Sequence, residues 1–327
     1  MLRRAAVLIG LALAAAPAFA EATPPCRGND LSQIPGLAEA RAKRADDLVD
    51  ADGLFWRIDK ASLPPSYLFG TIHSTDEDAL ALAGRAATAI PGAKVVATEL
   101  GGPLDAMEKA EIGAETLARA LDRDRDTFAD APVEDRASIE KMVEQLGYPT
   151  EFAHHLRVWF LAILTATPPC EAKRLALDLP EVDQFLVEQA KAAGVKVVAL
   201  ETPKEQLDVL ASVRPEVAAA LLAVAARDPE MNEDVYVTLL KLYRESRAAE
   251  ILAVGDAIGG VSASERAAED EFAALLLTGR NATMAERLAP FLKEGGAFIA
   301  VGALHLSGRD GLVERLRTLG YTVTKVW

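Results

Sequence analysis

The sequence predicts an α/β fold: a mixed, mainly parallel sheet flanked by helices, with a helical lid or cap insertion. Three observations carry that expectation. Nearly continuous apolar runs at 94–98, 196–200 and 297–301 read as strands buried on both faces, as a parallel sheet under helices requires. Helical patterns with polar starts and a terminal glycine alternate with these runs. Two long stretches, about 105–180 and 205–260, are helical in character, which is how an insertion over a sheet reads.

In chain order, the first element is a leader. Arg3 and Arg4 precede an apolar run over 5–16, and Ala18-Phe19-Ala20 forms a small-x-small cleavage signal. The run is shorter than the roughly 20 residues that a bilayer demands. Residues 1–20 therefore read as a secretory signal peptide, and the protein as secreted or periplasmic, with no stable membrane insertion after cleavage. An uncleaved anchor is the rival. A lipid-attachment site is not expected, because Cys26 follows Thr23-Pro24-Pro25. Residues 21–52 form an N-terminal arm, and 53–327 form the domain.

Within the domain, 54–58 and 66–70 flank Pro64-Pro65 and read as a hairpin-like pair of strands. Helices are expected over 77–90, 180–193, 264–277, 281–293 and 310–319. The closing run 321–327 alternates and reads as an edge strand. Cys26 and Cys170 are the only cysteines. In an oxidising compartment an isolated pair forms a disulfide, here tying the arm to the middle of the chain. Paired metal thiolates are the alternative, without C-x-x-C spacing to support it.

Composition bounds the function. The chain has 327 residues, 50% hydrophobic and 26% charged, as a globular protein does. A net charge of −14 argues against nucleic acid as the main partner. Aromatics are 6%, too few for a stacking platform.

The chemistry-bearing residues stand at strand ends. His73 follows the apolar run over 67–72, and His305 follows 297–304, each three residues after a glycine. Glu99 and Glu201 close Val-Val-Ala-x-Glu runs. In an open α/β sheet, groups at the carboxyl ends of parallel strands meet in one crevice. Two imidazoles and two carboxylates would then converge from distant parts of the chain. Helix starts after each histidine, Ser74-Thr75-Asp76-Glu77 and Ser307-Gly308-Arg309-Asp310, disfavour an imidazolium. Both rings are therefore expected to be neutral, the metal-binding form.

At these residues the sequence resembles the TraB/GumN family. The resemblance is carried by Leu68-Phe69-Gly70-Thr71-Ile72-His73, Ala97-Thr98-Glu99-Leu100, Leu200-Glu201-Thr202 with Glu205-Gln206-Leu207, Gly279-Arg280-Asn281 with Met284, and Val301-Gly302-Ala303-Leu304-His305-Leu306-Ser307-Gly308 with Gly311-Leu312. It covers about 53–327 in the same order. The family includes the animal Tiki ectodomains, regarded as proteases that use Mn²⁺ or Co²⁺, and is distantly related to the erythromycin esterase and ChaN-like folds. This sequence shows no Tiki-like C-terminal membrane helix, so tethered action is not implied. The resemblance implies an exported divalent-metal-dependent hydrolase, a peptidase first, acting on a peptide or small-molecule substrate. His73, His305 and Glu99 would hold the metal ion, for which Mn²⁺, Co²⁺ and Zn²⁺ are equal candidates. Glu201 would complete the shell or act as general base. Arg280 would stabilise an oxyanion or orient substrate, with Asn281 beside it. The alternatives are a non-catalytic haem- or metal-binding envelope protein and an accessory factor in polysaccharide or envelope assembly.

Plainer readings stand beside these. Glu201 precedes Thr202-Pro203 and would serve as a helix cap. Arg280 and Asn281 fall between two expected helices, and Asn281 suits the N-cap of the second. Gln206 reads as simply helical. His154-His155 sits with Leu156, Trp159 and Phe160 on an amphipathic helix and reads as a partly exposed face. The run 122–126 reads as a solvated face.

Overall fold

The computed structural model describes residues 25–102, 106–124, 126–129 and 131–327; the expected leader and Arg125 of the charged run lie outside the described residues. Six strands form one sheet: β1 (Phe55–Asp59), β2 (Ser66–Thr71), β3 (Val95–Thr98), β4 (Lys196–Ala199), β5 (Ala297–Gly302) and β6 (Thr322–Lys325). Their order is β4-β3-β5-β2-β1-β6. β4, β3, β5 and β2 are mutually parallel, while β1 runs antiparallel to β2 and β6. The sheet is therefore mixed, as the short Pro64-Pro65 connection and the alternating C-terminal run require.

The helices, in chain order, are α1 (Leu37–Lys43), α2 (Glu77–Ala87), α3 (Ala106–Ala120), α4 (Arg136–Gln145), α5 (Thr150–Ala153), α6 (Val158–Ala166), α7 (Pro169–Ala176), α8 (Val182–Ala192), α9 (Pro203–Ala211), α10 (Pro215–Arg227), α11 (Pro229–Arg244), α12 (Ile251–Ala257), α13 (Ala263–Glu294) and α14 (Leu312–Thr318). Period-two strands sort their apolar residues onto two faces. Phe69, Val96, Phe298 and Ala300 pack with α2 and α8 on one side. Leu68, Ala97, Ile299 and Val301 pack with Met284, Leu288 and Leu292 of α13 and with α14 on the other.

A third core lies in the helical insertion, where Phe128, Ile139, Leu156, Trp159 and Leu222 are buried together. This cap has its own interior, and Phe272 and Leu275 of α13 pack against it. The arm packs on α12, with Leu37 and Ala40 against Ala253 and Val254. Cys26 and Cys170 form a disulfide with Cα atoms 5.1 Å apart. No single helix among the described residues is long and apolar enough to cross a membrane; α9 and α10 would be together, but they are bent by 87°.

Three local expectations are corrected. The two helices expected on either side of Gly279 are one helix of 32 residues, α13, about 48 Å long. Glycine in a helix interior costs about 1 kcal/mol. Burial of one large apolar side chain is worth about 1.5–3 kcal/mol. Met284, Leu288 and Leu292 are all fully buried, so packing outweighs the glycine. Arg280 and Asn281 are consequently mid-helix residues, and Asn281 is not an N-cap. Second, β4 is not buried on both faces: its pattern is exposed at both ends, because it is the sheet edge opposite β6. Third, His154 and His155 lie in the turn between α5 and α6, not on a helix face.

Candidate functional site

The parallel strands place the predicted residues side by side. With β4, β3, β5 and β2 adjacent in that order, the residues just past their carboxyl ends are Glu201, Glu99, His305 and His73. The β3–β4 pairing continues past the strands, with the Glu201 N–H donating to the Glu99 carbonyl at 2.8 Å. Gly302 lets the end of β5 approach Glu99: a Cβ there would stand 3.3 Å from Glu99 Oε1.

The Glu201–Glu99–His305 side is dry. Glu99, Glu201 and His305 are 6%, 4% and 4% exposed. Buried carboxylates require donors, and α13 supplies them through Arg280. Its Nη2 donates to Glu99 Oε2 and to Glu201 Oε2, both at 2.6 Å, and its Nε to Glu201 Oε1 at 2.9 Å. Gln206 Nε2 bridges the same two carboxylates at 3.1 and 3.2 Å. The Gly302 N–H donates to Glu99 Oε1 at 2.7 Å. Gln206 is thus part of this network and not merely helical. Glu201 is not the cap of α9: Thr202 is, in a capping box with Glu205.

Asn281, the next residue on α13, fixes His305. Its Nδ2 donates to the Asp310 carbonyl at 3.0 Å, which turns Oδ1 towards His305 Nδ1 at 2.6 Å. His305 Nδ1 therefore carries the proton and Nε2 the lone pair. Nε2 lies 3.8 Å from Glu99 Oε1.

His73 occupies a wetter position. Its side chain is 69% exposed. Nδ1 lies 3.1 Å from Asp183 Oδ2, and Thr71 Oγ1 donates to Asp183 Oδ1 at 2.7 Å.

The electrostatics separate the two rings. The Asp183 carboxylate pushes the His73 pKa up to about 10, with Glu99 adding to the effect. His73 is thus an imidazolium at neutral pH, which corrects the expectation that both rings are neutral: a carboxylate in contact outweighs a helix terminus. Burial pushes His305 down to about 4, so it is neutral. Burial opposes ionisation of Glu99, but His305, His73, Arg280 and the Gly302 N–H overcome it and hold its carboxyl at about 2. His305 contributes to that in the acid range, where it too is charged.

The site therefore unites Glu99, Glu201, Arg280, Asn281 and His305 in one network, with His73 near enough for its charge to act on Glu99 and His305. Cys26 and Cys170 lie apart from the network, in their disulfide beside Tyr236 and Leu240. His154 lies elsewhere, with Nδ1 2.7 Å from Asp126 and its ring 4.4 Å from that of Phe128. Among the described residues, no three His, Cys, Asp or Glu side chains are grouped as a ready-made metal centre. The donor chemistry nevertheless fits a divalent ion. His305 Nδ1 is bonded to Asn281 Oδ1, and His73 Nδ1 stands 3.1 Å from Asp183 Oδ2, an arrangement that would leave Nε2 of each ring for a metal once His73 gives up its second proton. Sequence reasoning passed over Asp183 and Thr71. An acidic residue in the first turn of a helix is ordinary dipole compensation, so nothing local marks Asp183.

A model of the TraB/PrgY/gumN family matches residues 54–325. No curated protein and no solved structure matches the chain.

Proposed function

The chain belongs to the TraB/PrgY/gumN family, and on that premise we propose that it is an exported divalent-metal-dependent hydrolase, a peptidase in its main activity. One observation carries the reading: each strand-end histidine turns Nδ1 to an oxygen of another side chain, bonded for His305 and 3.1 Å away for His73, and His305 presents Nε2 to a buried carboxylate. His73, His305 and Glu99 would hold the ion, which we take to be Mn²⁺, Co²⁺ or Zn²⁺, and His73, an imidazolium in the metal-free protein, would release its Nε2 proton as the ion binds. Once bound, such an ion supplies a water whose pKa falls from about 15.7 towards about 7.

The chain's own residues do the rest. Asn281, engaged at both ends of its amide, acts through His305 by keeping the lone pair on Nε2. Glu201 and Gln206 hold the Arg280 fork and the Glu99 carboxylate in register. Glu201 has both oxygens engaged by Arg280, so we assign it to orienting that guanidinium. Arg280 Nη1 has one N–H beyond its bond to the Leu276 carbonyl, and it serves to stabilise negative charge developing on a substrate carbonyl oxygen. The Cys26–Cys170 disulfide supports an oxidising compartment, and the acidic balance supports a peptide or small-molecule substrate over nucleic acid.

The test is metal content. The protein, purified without chelator, is expected to hold about one divalent ion per chain by elemental analysis. His73→Ala and His305→Ala are each expected to lose it. A full complement of metal in both variants overturns the assignment. Metal-loaded protein that leaves every member of a peptide library intact overturns the peptidase reading and leaves a binder.

A further inference from the structure

One carboxylate, Asp183, stands beside the site without belonging to its Glu99–Glu201–Arg280 network. Asp183 stands in the first turn of α8 and reaches under the end of β2, accepting from Thr71 Oγ1 through Oδ1. Its Oδ2 is sealed from water and, among the described residues, has no hydrogen-bond partner; the imidazole nitrogen Nδ1 of His73 stands 3.1 Å from it as an ion pair.

The backbone around His73 is held independently of that contact. The Val182 N–H donates to the Ser74 carbonyl at 3.2 Å, the Thr75 N–H to Glu171 Oε1 at 2.6 Å, and Ser74 Oγ pairs with the Tyr236 hydroxyl at 2.7 Å. What remains loose is the ring. A side chain that is 69% exposed keeps its rotamer freedom unless something specific removes it. Asp183 is the group placed to do so, and Thr71 fixes the orientation of the carboxylate.

We propose that Asp183 is the positioning residue for His73, holding the ring by Nδ1 so that Nε2 is the nitrogen offered to a ligand. It does with a carboxylate what Asn281 does for His305 with an amide oxygen. The inference rests on the proposed function for the identity of that ligand, but not for the anchoring itself.

The experiment is ¹⁵N-histidine NMR on the full chain, which has four histidines. Ring N–H signals are assigned with single His→Ala variants. The wild type is expected to show protected Nδ1–H resonances for His73, His305 and His154, the last bonded to Asp126. Asp183→Ala is expected to remove the His73 resonance alone. Asp183→Asn keeps an acceptor oxygen and is expected to restore it. Asn281→Ala is expected to remove the His305 resonance and spare that of His73. A merely structural role for Asp183 would not produce this pairing. Persistence of the His73 resonance in Asp183→Ala overturns the proposal. If that variant does not fold, the wild-type spectrum decides, because absence of a protected His73 Nδ1–H overturns it equally. In parallel, Co²⁺ titration of Asp183→Ala is expected to show affinity lowered by about 10–100-fold. Wild type that takes up no Co²⁺ defeats the hydrolase reading, while the NMR result still decides the role of Asp183.

Discussion

His73 and His305 each stand three residues after a glycine, at the carboxyl ends of the neighbouring parallel strands β2 and β5. In sequence the two segments share the Gly-x-x-His spacing behind an apolar strand; in environment they are opposites. His305 is buried, neutral and bonded to an amide oxygen. His73 is open to water, charged and paired with a carboxylate. The difference comes from what packs over each strand end. β5 lies beside Glu99 under the middle of α13, whereas β2 meets the first turn of α8 and leaves its histidine open to water. A strand-end histidine therefore has no intrinsic charge state; the partner delivered by a distant element sets it.

The dry half should be the costly one to disturb. Arg280 is the cation shared by two buried carboxylates, and Arg280→Ala leaves both without their main partner. Removing one member of a buried ionic network typically costs about 3–5 kcal/mol. Urea denaturation is expected to show a loss of that order, and a loss below about 1 kcal/mol would place the carboxylates in effective contact with water. Next comes acid. The His305 pKa falls on folding from about 6.5 to about 4, so its contribution to stability is whole above 6.5 and is lost as pH falls through 4. A shift of that size corresponds to roughly 3 kcal/mol. In the metal-free protein, His305→Gln, which cannot ionise, should flatten the stability profile between those values; an unchanged slope would assign the acid limb to other groups.

Asn281→Ala isolates a single bond of the same half. It leaves the His305 Nδ1–H buried without its acceptor, a loss of about 1–3 kcal/mol. Thermal unfolding against Thr283→Ala, a half-buried neighbour on α13, is the measurement. Equal small shifts for the two would show that Asn281 is not holding the ring.

Much of this site was legible because parallel strands bring their ends together whatever lies between them in sequence. The apolar runs marked the strands, and Glu99, Glu201, His73 and His305 follow them directly. Arg280 and Asn281 were legible as residues but not as geometry. Gly279 signals a helix end locally, and only the burial of Met284, Leu288 and Leu292, a tertiary fact, carries the helix through it. Asp183 was not legible at all, because its meaning lies in Thr71 and His73, more than a hundred positions away. The charge of His73 was misjudged for the same reason: the helix start was visible in the sequence, and the carboxylate in contact was not.

The smallest effect belongs to the wet half, and its sign is opposite. The His73 pKa is raised on folding, so its contribution is complete below about 6.5 and is lost as pH rises through about 10. Water reaches the ring, and exposed ion pairs are worth about 0–1 kcal/mol. In the metal-free protein, His73→Ala is therefore expected to cost less than about 1 kcal/mol at neutral pH, and the alkaline decline of the wild type should be shallow and steeper at low salt. Asp183→Ala should abolish that decline while leaving the acid limb of His305 in place. Denaturant midpoints measured from pH 4 to pH 10 in the two variants read both limbs at once. A steep, salt-insensitive alkaline limb would mean that His73 is as dry as His305, and the contrast between the two strand ends would then be one of charge alone.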